Sequence, residues 1–210
     1  MIRLPKIFVS PSNQNKNVYA YGNTNESAVC KQIADALETA LLRCGFKVKT
    51  MHQETMAKKV QEADKWGADL YIPIHTNAHD KKTGGTRVFY WANNTEGHKV
   101  AKCVYEALKG ISPGTSDNMY PQPNLYEIKY PKAQTVYIEA EFHDVPQYAK
   151  WIIENTTEIA EAICKGICKH YNITYVEGLY RVQVGAYSIK ANAEKMKQKL
   201  KADGYDAVIV

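Results

Sequence analysis

Strand-like and helix-like segments alternate along the sequence up to about residue 170, and this alternation limits the folds that the chain can adopt. Residues 6–10 are apolar enough for a short buried strand, and apolar residues at helical spacing follow from Val29 to Leu41. Further strands are predicted at residues 46–50, 71–75, 86–91 and around Glu139. Strands separated by helices are typical of a parallel sheet with helices on both faces. The sequence therefore predicts an α/β fold built on a mostly parallel, open sheet.

Capping and helix-ending residues indicate where the other elements lie. Thr24 or Asn25 can cap the first helix, and Gly45 ends it. Further helices are predicted over residues 55–66 and 95–108, with a single closing helix over residues 146–170. The stretch from Ile111 to Pro123 is rich in Pro, Gly, Ser and Asn. It predicts a long surface loop, of the kind that often borders a binding site.

The C-terminal part of the chain is predicted to be a separate small unit. Residues 1–172 form the main domain, residues 173–178 a linker, and residues 179–210 a strand–helix–strand unit. The helix is expected from Lys190 to Ala202, with Ala193, Met196 and Leu200 on one face. A unit of about 30 residues is too small to bury its own core. We therefore expect it to dock on the main domain, to pair with a second copy, or to be a truncated piece.

Composition narrows the class of protein. With 45% hydrophobic and 23% charged residues, the chain resembles an ordinary globular protein. Its net charge of +5 suits an anionic polymer such as a cell wall or nucleic acid but is weak evidence for either, and we do not expect nucleic acid as a partner. No apolar run is long enough for a membrane span, and the N-terminus lacks the apolar region of a signal peptide. We therefore expect a protein made in the cytoplasm without a signal peptide.

The cysteines do not predict a disulfide scaffold. They are five in number and follow no scaffold spacing, so reduced thiols are expected. Cys164 and Cys168 share one face of the closing helix beside an apolar stripe. We interpret them as small buried core residues rather than metal ligands, since free cysteine behaves as a small hydrophobe.

Chemically active side chains cluster at two predicted strand ends. His75 follows an apolar run, and Glu139, Glu141 and His143 follow another. The carboxyl ends of parallel strands converge on one crevice, where ligands bind. Imidazole and carboxylate are zinc ligands, and a spare carboxylate is a usual general base for an activated water. The pattern predicts a metal hydrolase, although a lone strand-end histidine is more often structural.

Residues 6–171 resemble the zinc-dependent N-acetylmuramoyl-L-alanine amidases of bacteria and their phages. The stretches that carry the resemblance are Ile7–Pro11, Asn25–Glu26, Ile74–Ala78, Gly85–Tyr90, Leu125–Lys129 and Val136–Glu139 with Phe142. The resemblance implies that His75 and Glu26 bind Zn²⁺ and that Glu139 is the catalytic base. It implies cleavage of the amide bond between N-acetylmuramic acid and L-alanine in peptidoglycan. Asn77 and Lys129 are predicted to bind substrate.

One departure from the family pattern leaves the third zinc ligand open. The family usually has Pro-Gly-His-Gly after its first strand, whereas this chain has Pro11-Ser12-Asn13-Gln14. Amide oxygens are weaker zinc ligands than imidazole. The candidates for the third ligand, in order, are Gln14, His143 and Asn13, and Glu141 is a further candidate site residue. A catalytically weak wall-binding protein that keeps the amidase fold is the alternative function.

The tail resembles half of a SPOR domain, which is a peptidoglycan-binding module. The residues that carry this resemblance are Tyr180–Tyr187, Asn192–Glu194 and Gly204–Ala207. A full SPOR domain contains two such units, so the single unit implies either wall binding or a homodimer through residues 179–210. The resemblance implies an endolysin or autolysin that acts on the cell wall. Because no signal peptide is expected, we expect it to reach the wall by phage lysis or by release from lysed cells.

Overall fold

In a computed structural model that describes residues 3–178 and 183–209, seven strands form one sheet. The strands are β1 (Lys6–Pro11), β2 (Lys47–Thr50), β3 (Leu70–Asn77), β4 (Arg87–Tyr90), β5 (Asn118–Pro121), β6 (Gln134–Thr135) and β7 (Tyr137–Phe142). Their order across the sheet is β2-β1-β3-β7-β4-β5, and β6 pairs with β3 beside β7. The pairs β1–β2, β1–β3 and β3–β7 are parallel, and β4 runs antiparallel to β7. The predicted mostly parallel, open sheet is confirmed.

Helices cover both faces of the sheet. They are α1 (Glu26–Arg43), α2 (Met56–Trp66), α3 (Thr95–Lys109), α4 (Tyr126–Lys129), α5 (Pro146–Glu154) and α6 (Thr156–Tyr171). A seventh helix, α7 (Lys190–Ala202), belongs to the C-terminal unit. Successive residues of a strand point to opposite faces. In β1, Ile7 and Val9 therefore join the large core beneath α1, α3 and α6, whereas Phe8 packs with α2 on the other face. His75 of β3 lies on the same face of the sheet as Phe8.

Local capping places the start of α1. The side chain of Asn25 accepts a hydrogen bond of 3.0 Å from the backbone N–H of Ala28, as expected of an N-cap residue. Glu26 is consequently the first helical residue, and its side chain is buried where the helix meets the carboxyl ends of the strands. Thr55 caps α2 in the same way, and Gly67 ends that helix in the left-handed conformation.

Two predictions about the main domain were wrong. The segment predicted as a loop, Ile111–Pro123, contains β5, which pairs with β4 and packs Tyr120 against the ring of Phe89. The predicted single closing helix is interrupted at Asn155, which separates α5 from α6. The side-chain amide of Asn155 donates to the carbonyl of Trp151 at 2.7 Å. Asparagine side chains compete in this way with the helical backbone.

The chain divides into two compact units, residues 1–177 and residues 178–210. The predicted helix of the second unit is present as α7. The predicted strands are absent from residues 183–187 and 204–209, and the rest of those predictions, at residues 179–182 and 210, lies outside the described residues. Isolated strands without pairing partners are marginally stable in water, which explains the difference. Within the described ranges, no helix has the length and apolar character needed to cross a membrane.

Candidate active site

The backbone places His75 and Glu139 side by side. They are register partners on the parallel strands β3 and β7, so both side chains point to the same face of the sheet. His75 is buried, and its ring stacks on Tyr137 with centroids 4.6 Å apart. The Glu139 side chain is partly exposed, but its Oε2 atom is buried and has no hydrogen-bond partner among the described residues. A buried carboxylate oxygen without a partner is costly, which favours a binding role for it.

The two ring nitrogens of His75 face two different carboxylates. Nδ1 lies 2.9 Å from Oε1 of Glu26, and Nε2 lies 3.3 Å from Oε2 of Glu127. Both glutamates are buried. A neutral imidazole donates from one nitrogen and accepts at the other, so the two contacts cannot both be ordinary hydrogen bonds of a neutral ring. A cation or a second proton on the imidazole reconciles them.

The loop after β1 brings an amide to the Nδ1 side of His75. The side-chain nitrogen of Gln14 lies 3.4 Å from Nδ1, and its oxygen accepts from Asn17 at 3.0 Å. Asn17 also donates to Oε2 of Glu26 at 2.6 Å. Rotating the Gln14 amide by half a turn would exchange its oxygen and nitrogen and turn the oxygen toward Nδ1. An imidazole nitrogen, a carboxylate and an amide therefore converge at one point.

Two hydroxyl groups hold the carboxylate of Glu127 in place. Its Oε1 accepts hydrogen bonds of 2.6 Å from Ser10 and 2.6 Å from Tyr71, on neighbouring strands β1 and β3. The ammonium group of Lys59 is also buried nearby and donates to the carbonyl of Pro11. Glu127 was assigned no role from the sequence, although it lies in the stretch Leu125–Lys129 that carries part of the amidase resemblance. Its helix, α4, has only four residues, too few for an apolar pattern to indicate which side chains are buried.

The pKa values reflect this buried arrangement. Burial lowers the pKa of His75, but the hydrogen bonds to Glu127 and Glu26 outweigh it and raise the pKa to about 10. Burial raises the pKa of Glu139 to about 8, with His75 acting in the opposite direction. Burial also opposes ionisation of Glu26 and Glu127, yet the contacts with His75 leave both pKa values below the ordinary range.

The other predicted ligand candidates lie away from Nδ1 of His75. The Asn13 side chain is exposed and donates to the carbonyl of Glu54 at 2.8 Å. His143 stacks on Tyr19 and contacts Thr76 at 3.0 Å. Because Thr76 follows His75 in β3, its side chain points to the opposite face of the sheet, and His143 lies with it.

The remaining candidates occupy the rim or the supporting structure. Glu141 accepts from the backbone N–H of Gly85 at 2.5 Å and from Ser112 at 3.0 Å, so it anchors the loops around β4. Asn77 ends β3, where its side chain accepts from the backbone of Ala78 at 2.8 Å. Lys129 is exposed, with its ammonium group 5.4 Å from the centre of the Tyr130 ring.

The donor chemistry at Nδ1 of His75 fits a zinc ion with one weak ligand. Imidazole and carboxylate are preferred zinc ligands, and Glu26 faces His75 at 2.9 Å. The buried carboxylates of Glu26 and Glu127 and the partly exposed carboxylate of Glu139 surround one imidazole, which gives the site excess negative charge. In residues 3–178 and 183–209, no third His, Cys, Asp or Glu reaches this point, because Glu127 contacts the opposite nitrogen. The side-chain nitrogen of Gln14 lies 3.4 Å from the same ring atom as Glu26, Nδ1.

Comparison with known proteins identifies the family. The family model for N-acetylmuramoyl-L-alanine amidase matches residues 7–169, which is well over half of the chain. The chain belongs to this amidase family. Its members are generally zinc-dependent. The model for the SPOR domain matches residues 176–210.

Relatives and solved structures agree with this assignment. A sporulation-specific N-acetylmuramoyl-L-alanine amidase of Bacillus subtilis (strain 168) is 24% identical over 217 residues, covering 98% of this chain and 84% of that protein. The catalytic domain of CwlV, an amidase from Bacillus (Paenibacillus) polymyxa, superposes with a TM-score of 0.72 at 14% identity, covering 81% of this chain and all of that domain. The catalytic domain of the CD27L endolysin, which targets Clostridia difficile, gives a TM-score of 0.68 at 21% identity and covers 79% of this chain and 97% of that domain. At these identities the structural matches support the fold.

Proposed function

We propose that this protein hydrolyses the amide bond between N-acetylmuramic acid and L-alanine in peptidoglycan. The observation that carries the proposal is the position of Glu139, which has an unpartnered, buried carboxylate oxygen beside His75 at the carboxyl ends of β3 and β7. Membership of the amidase family supplies the substrate class. The proposed site of action is the cell wall.

We propose that His75, Glu26 and Gln14 hold the zinc ion, at the Nδ1 side of the imidazole. Oε1 of Glu26 lies 2.9 Å from Nδ1 of His75, and the side-chain nitrogen of Gln14 lies 3.4 Å from the same atom. His143 and Asn13 remain weaker candidates, because each is engaged elsewhere by Thr76 and by Glu54, respectively. When bound, zinc supplies Lewis acidity, which makes a water more acidic and polarises the scissile carbonyl.

Glu139 is the proposed general base. Its carboxylate removes a proton from the attacking water and returns it to the nitrogen of L-alanine as the C–N bond breaks. The products are the free carboxyl group of the muramic acid lactyl chain and the free amino terminus of the stem peptide. The Glu139 side chain is partly exposed, which leaves room for a substrate to approach its carboxylate.

Glu127 is the proposed positioning residue. A carboxylate that accepts the second N–H of a metal-binding histidine fixes the ring orientation and leaves the other nitrogen free for the metal. Glu127 meets this description at Nε2 of His75, and Ser10 and Tyr71 hold it in place. At the rim, Asn77 and the exposed ammonium group of Lys129 are proposed to bind the substrate, the lysine through a stem-peptide carboxylate.

A catalytically weak wall-binding protein is the second candidate function. The observation that favours it is the segment Pro11–Gln14, which lacks the histidine of the family pattern. Metal analysis of the purified full chain, combined with lysis of isolated cell walls with and without a chelator, distinguishes the two. One zinc at this site and chelator-sensitive lysis support the amidase. Wall binding without lysis at saturating zinc supports the alternative.

We propose that residues 179–210 form a wall-binding or dimerising unit, joined by residues 173–178 to the catalytic domain of residues 1–172. In the described tail, Ala193, Met196 and Leu200 of α7 are half-buried, while Val184, Tyr187, Ile189 and Val208 are exposed. Exposed apolar side chains favour association, and two-fold pairing is the commonest form of it.

Light scattering tests the dimer. The full chain is compared with a chain ending at Glu177, where the first unit ends. A full-length dimer and a shortened monomer support pairing through the tail. If shortening changes neither oligomeric state nor affinity for cell walls, the proposed role of the tail is wrong.

A further inference from the structure

Three cysteines meet in the core between α1 and α6, two of them on α6 and the third 120 positions earlier. Cys44 directly follows α1, and Cys164 and Cys168 lie four positions apart on one face of α6. The sulfur of Cys164 lies 3.7 Å from that of Cys44 and 4.0 Å from that of Cys168. All three residues are buried, and their sulfur atoms all lie within 4.8 Å of one another. In the described ranges they are the only convergent group of three such metal-ligand side chains.

The sulfur separations match those of a shared metal ion. A thiolate binds zinc at about 2.3 Å, so two thiolates of a tetrahedral site lie about 3.8 Å apart. Two of the three observed separations, 3.7 Å and 4.0 Å, are close to this value, and the third is no more than 4.8 Å. A disulfide bond needs about 2.05 Å between sulfur atoms, and it would use only two of the three thiols. Packing alone does not require three sulfur atoms from two helices to meet at one point.

Polar groups of the backbone and of Arg43 surround Cys44. The backbone N–H of Val176 donates to the sulfur of Cys44 at 3.4 Å, and the Val176 carbonyl lies 3.9 Å from the same atom. Such N–H donors are typical partners of metal-bound groups. Arg43 donates to that carbonyl at 2.8 Å and pairs with Glu161 at 2.6 Å. Glu161 offsets the charge of this guanidinium group, so three buried thiolates at this point would need a metal cation to neutralise them.

We propose that Cys44, Cys164 and Cys168 form a second metal site, which binds a thiophilic divalent cation of the zinc class. The metal replaces the thiol protons, which are released to solvent, and the Val176 carbonyl is the nearest candidate for the fourth ligand. Such a site would fasten the C-terminal end of α1 to α6. It is separate from the active site, which contains no sulfur ligand.

Cobalt(II) substitution tests the proposal, because thiolate ligands to cobalt give a strong near-ultraviolet charge-transfer band and the active-site ligands do not. The metal-free full chain is titrated with Co²⁺ and then with Zn²⁺. We expect the band to appear in the wild type and to be displaced by zinc. It should persist in His75→Ala, which removes the active-site imidazole, and in Cys103→Ser, which changes a cysteine outside the cluster.

Cys44→Ser is the decisive variant, because Cys44 is the least buried of the three at 7% exposure. We expect it to lose most of the band and one metal equivalent per chain, and Cys168→Ala provides a second test if Cys44→Ser folds poorly. Cobalt binding to the wild type without the band overturns the proposal whatever the variants do. Retention of the band in both cysteine variants, or a disulfide among the three residues in protein purified under reducing conditions, overturns it as well. Failure of the amidase proposal leaves this result unchanged.

Discussion

The two ends of α1 carry two different kinds of buried polar cluster. At its N-terminus, Glu26 meets His75 among oxygen and nitrogen donors at the carboxyl ends of the strands. At its C-terminus, about 27 Å away for a helix of 18 residues, Cys44 meets two other thiols between helices. The first cluster lies beside a partly exposed carboxylate, whereas the second is sealed in the core. The difference separates a site that can receive substrate from one that can only join elements of the fold.

The largest expected difference is between His75→Ala and Cys44→Ser. Removing His75 deletes the imidazole that the carboxylates of Glu26 and Glu127 contact. We therefore expect hydrolysis of cell walls to fall below detection. Cys44→Ser alters the other end of α1, so the rate should stay within about threefold of wild type while the melting temperature falls. Lysis assays and thermal denaturation with equal zinc check both results. Comparable loss of activity in the two variants would break the distinction between the clusters.

Glu139→Gln should retain the fold and the metal while losing most of the turnover. An amide has nearly the shape of a carboxylate but cannot accept the proton of water, and loss of a general base typically lowers a rate by about 10²–10⁴-fold. Steady-state rates and metal content of the variant check this prediction. A purely structural Glu139 would instead change the melting temperature and leave the rate alone.

Glu127→Gln should have a smaller effect than Glu139→Gln. Replacing the partner of a metal-binding histidine typically costs about 10–100-fold in metal affinity or activity. We expect zinc affinity to fall and high zinc to restore part of the rate, as a positioning role requires. Glu141→Gln is the matched control, since Glu141 contacts Gly85 and Ser112 rather than His75. Equal losses of zinc affinity in both variants would contradict the role of Glu127.

The smallest expected effect is a gain. Gln14→His places an imidazole where the Gln14 amide approaches His75, and it should tighten zinc binding by about tenfold, since imidazole is the better ligand. Asn13→His is the control, because Asn13 is turned toward Glu54. Competition with a zinc indicator compares the two variants. If only Asn13→His tightens binding, the third ligand position belongs to residue 13.

Sequence patterns were sufficient to predict the strand ends and the helix start that position the active-site residues. The apolar run before His75, the strand before Glu139 and the cap at Asn25 each predict where an element begins or ends. In a parallel sheet, such ends lie together. The family resemblance then predicted the roles of these residues.

Residues whose environment depends on distant partners escaped sequence reasoning. Glu127 becomes part of the site through Ser10, which lies 117 positions away, and Cys44 meets Cys164 across 120 positions. Strand β5 forms because β4 offers it a pairing edge, which the local sequence of residues 118–121 does not reveal. Conversely, the alternating pattern near residues 183–187 predicted a strand, but no neighbour pairs with it in the described tail.

Identification of the bond that the wild-type protein cleaves tests the central claim most directly. Purified peptidoglycan is digested with the full-length protein and zinc, and the newly formed amino termini and reducing sugar ends are labelled and identified. We predict new amino termini of L-alanine in step with lysis, no new reducing ends, and no release by Glu139→Gln beyond about one hundredth of the wild-type rate. New reducing ends, amino termini of other stem-peptide residues, or no cleavage at saturating zinc would contradict the account.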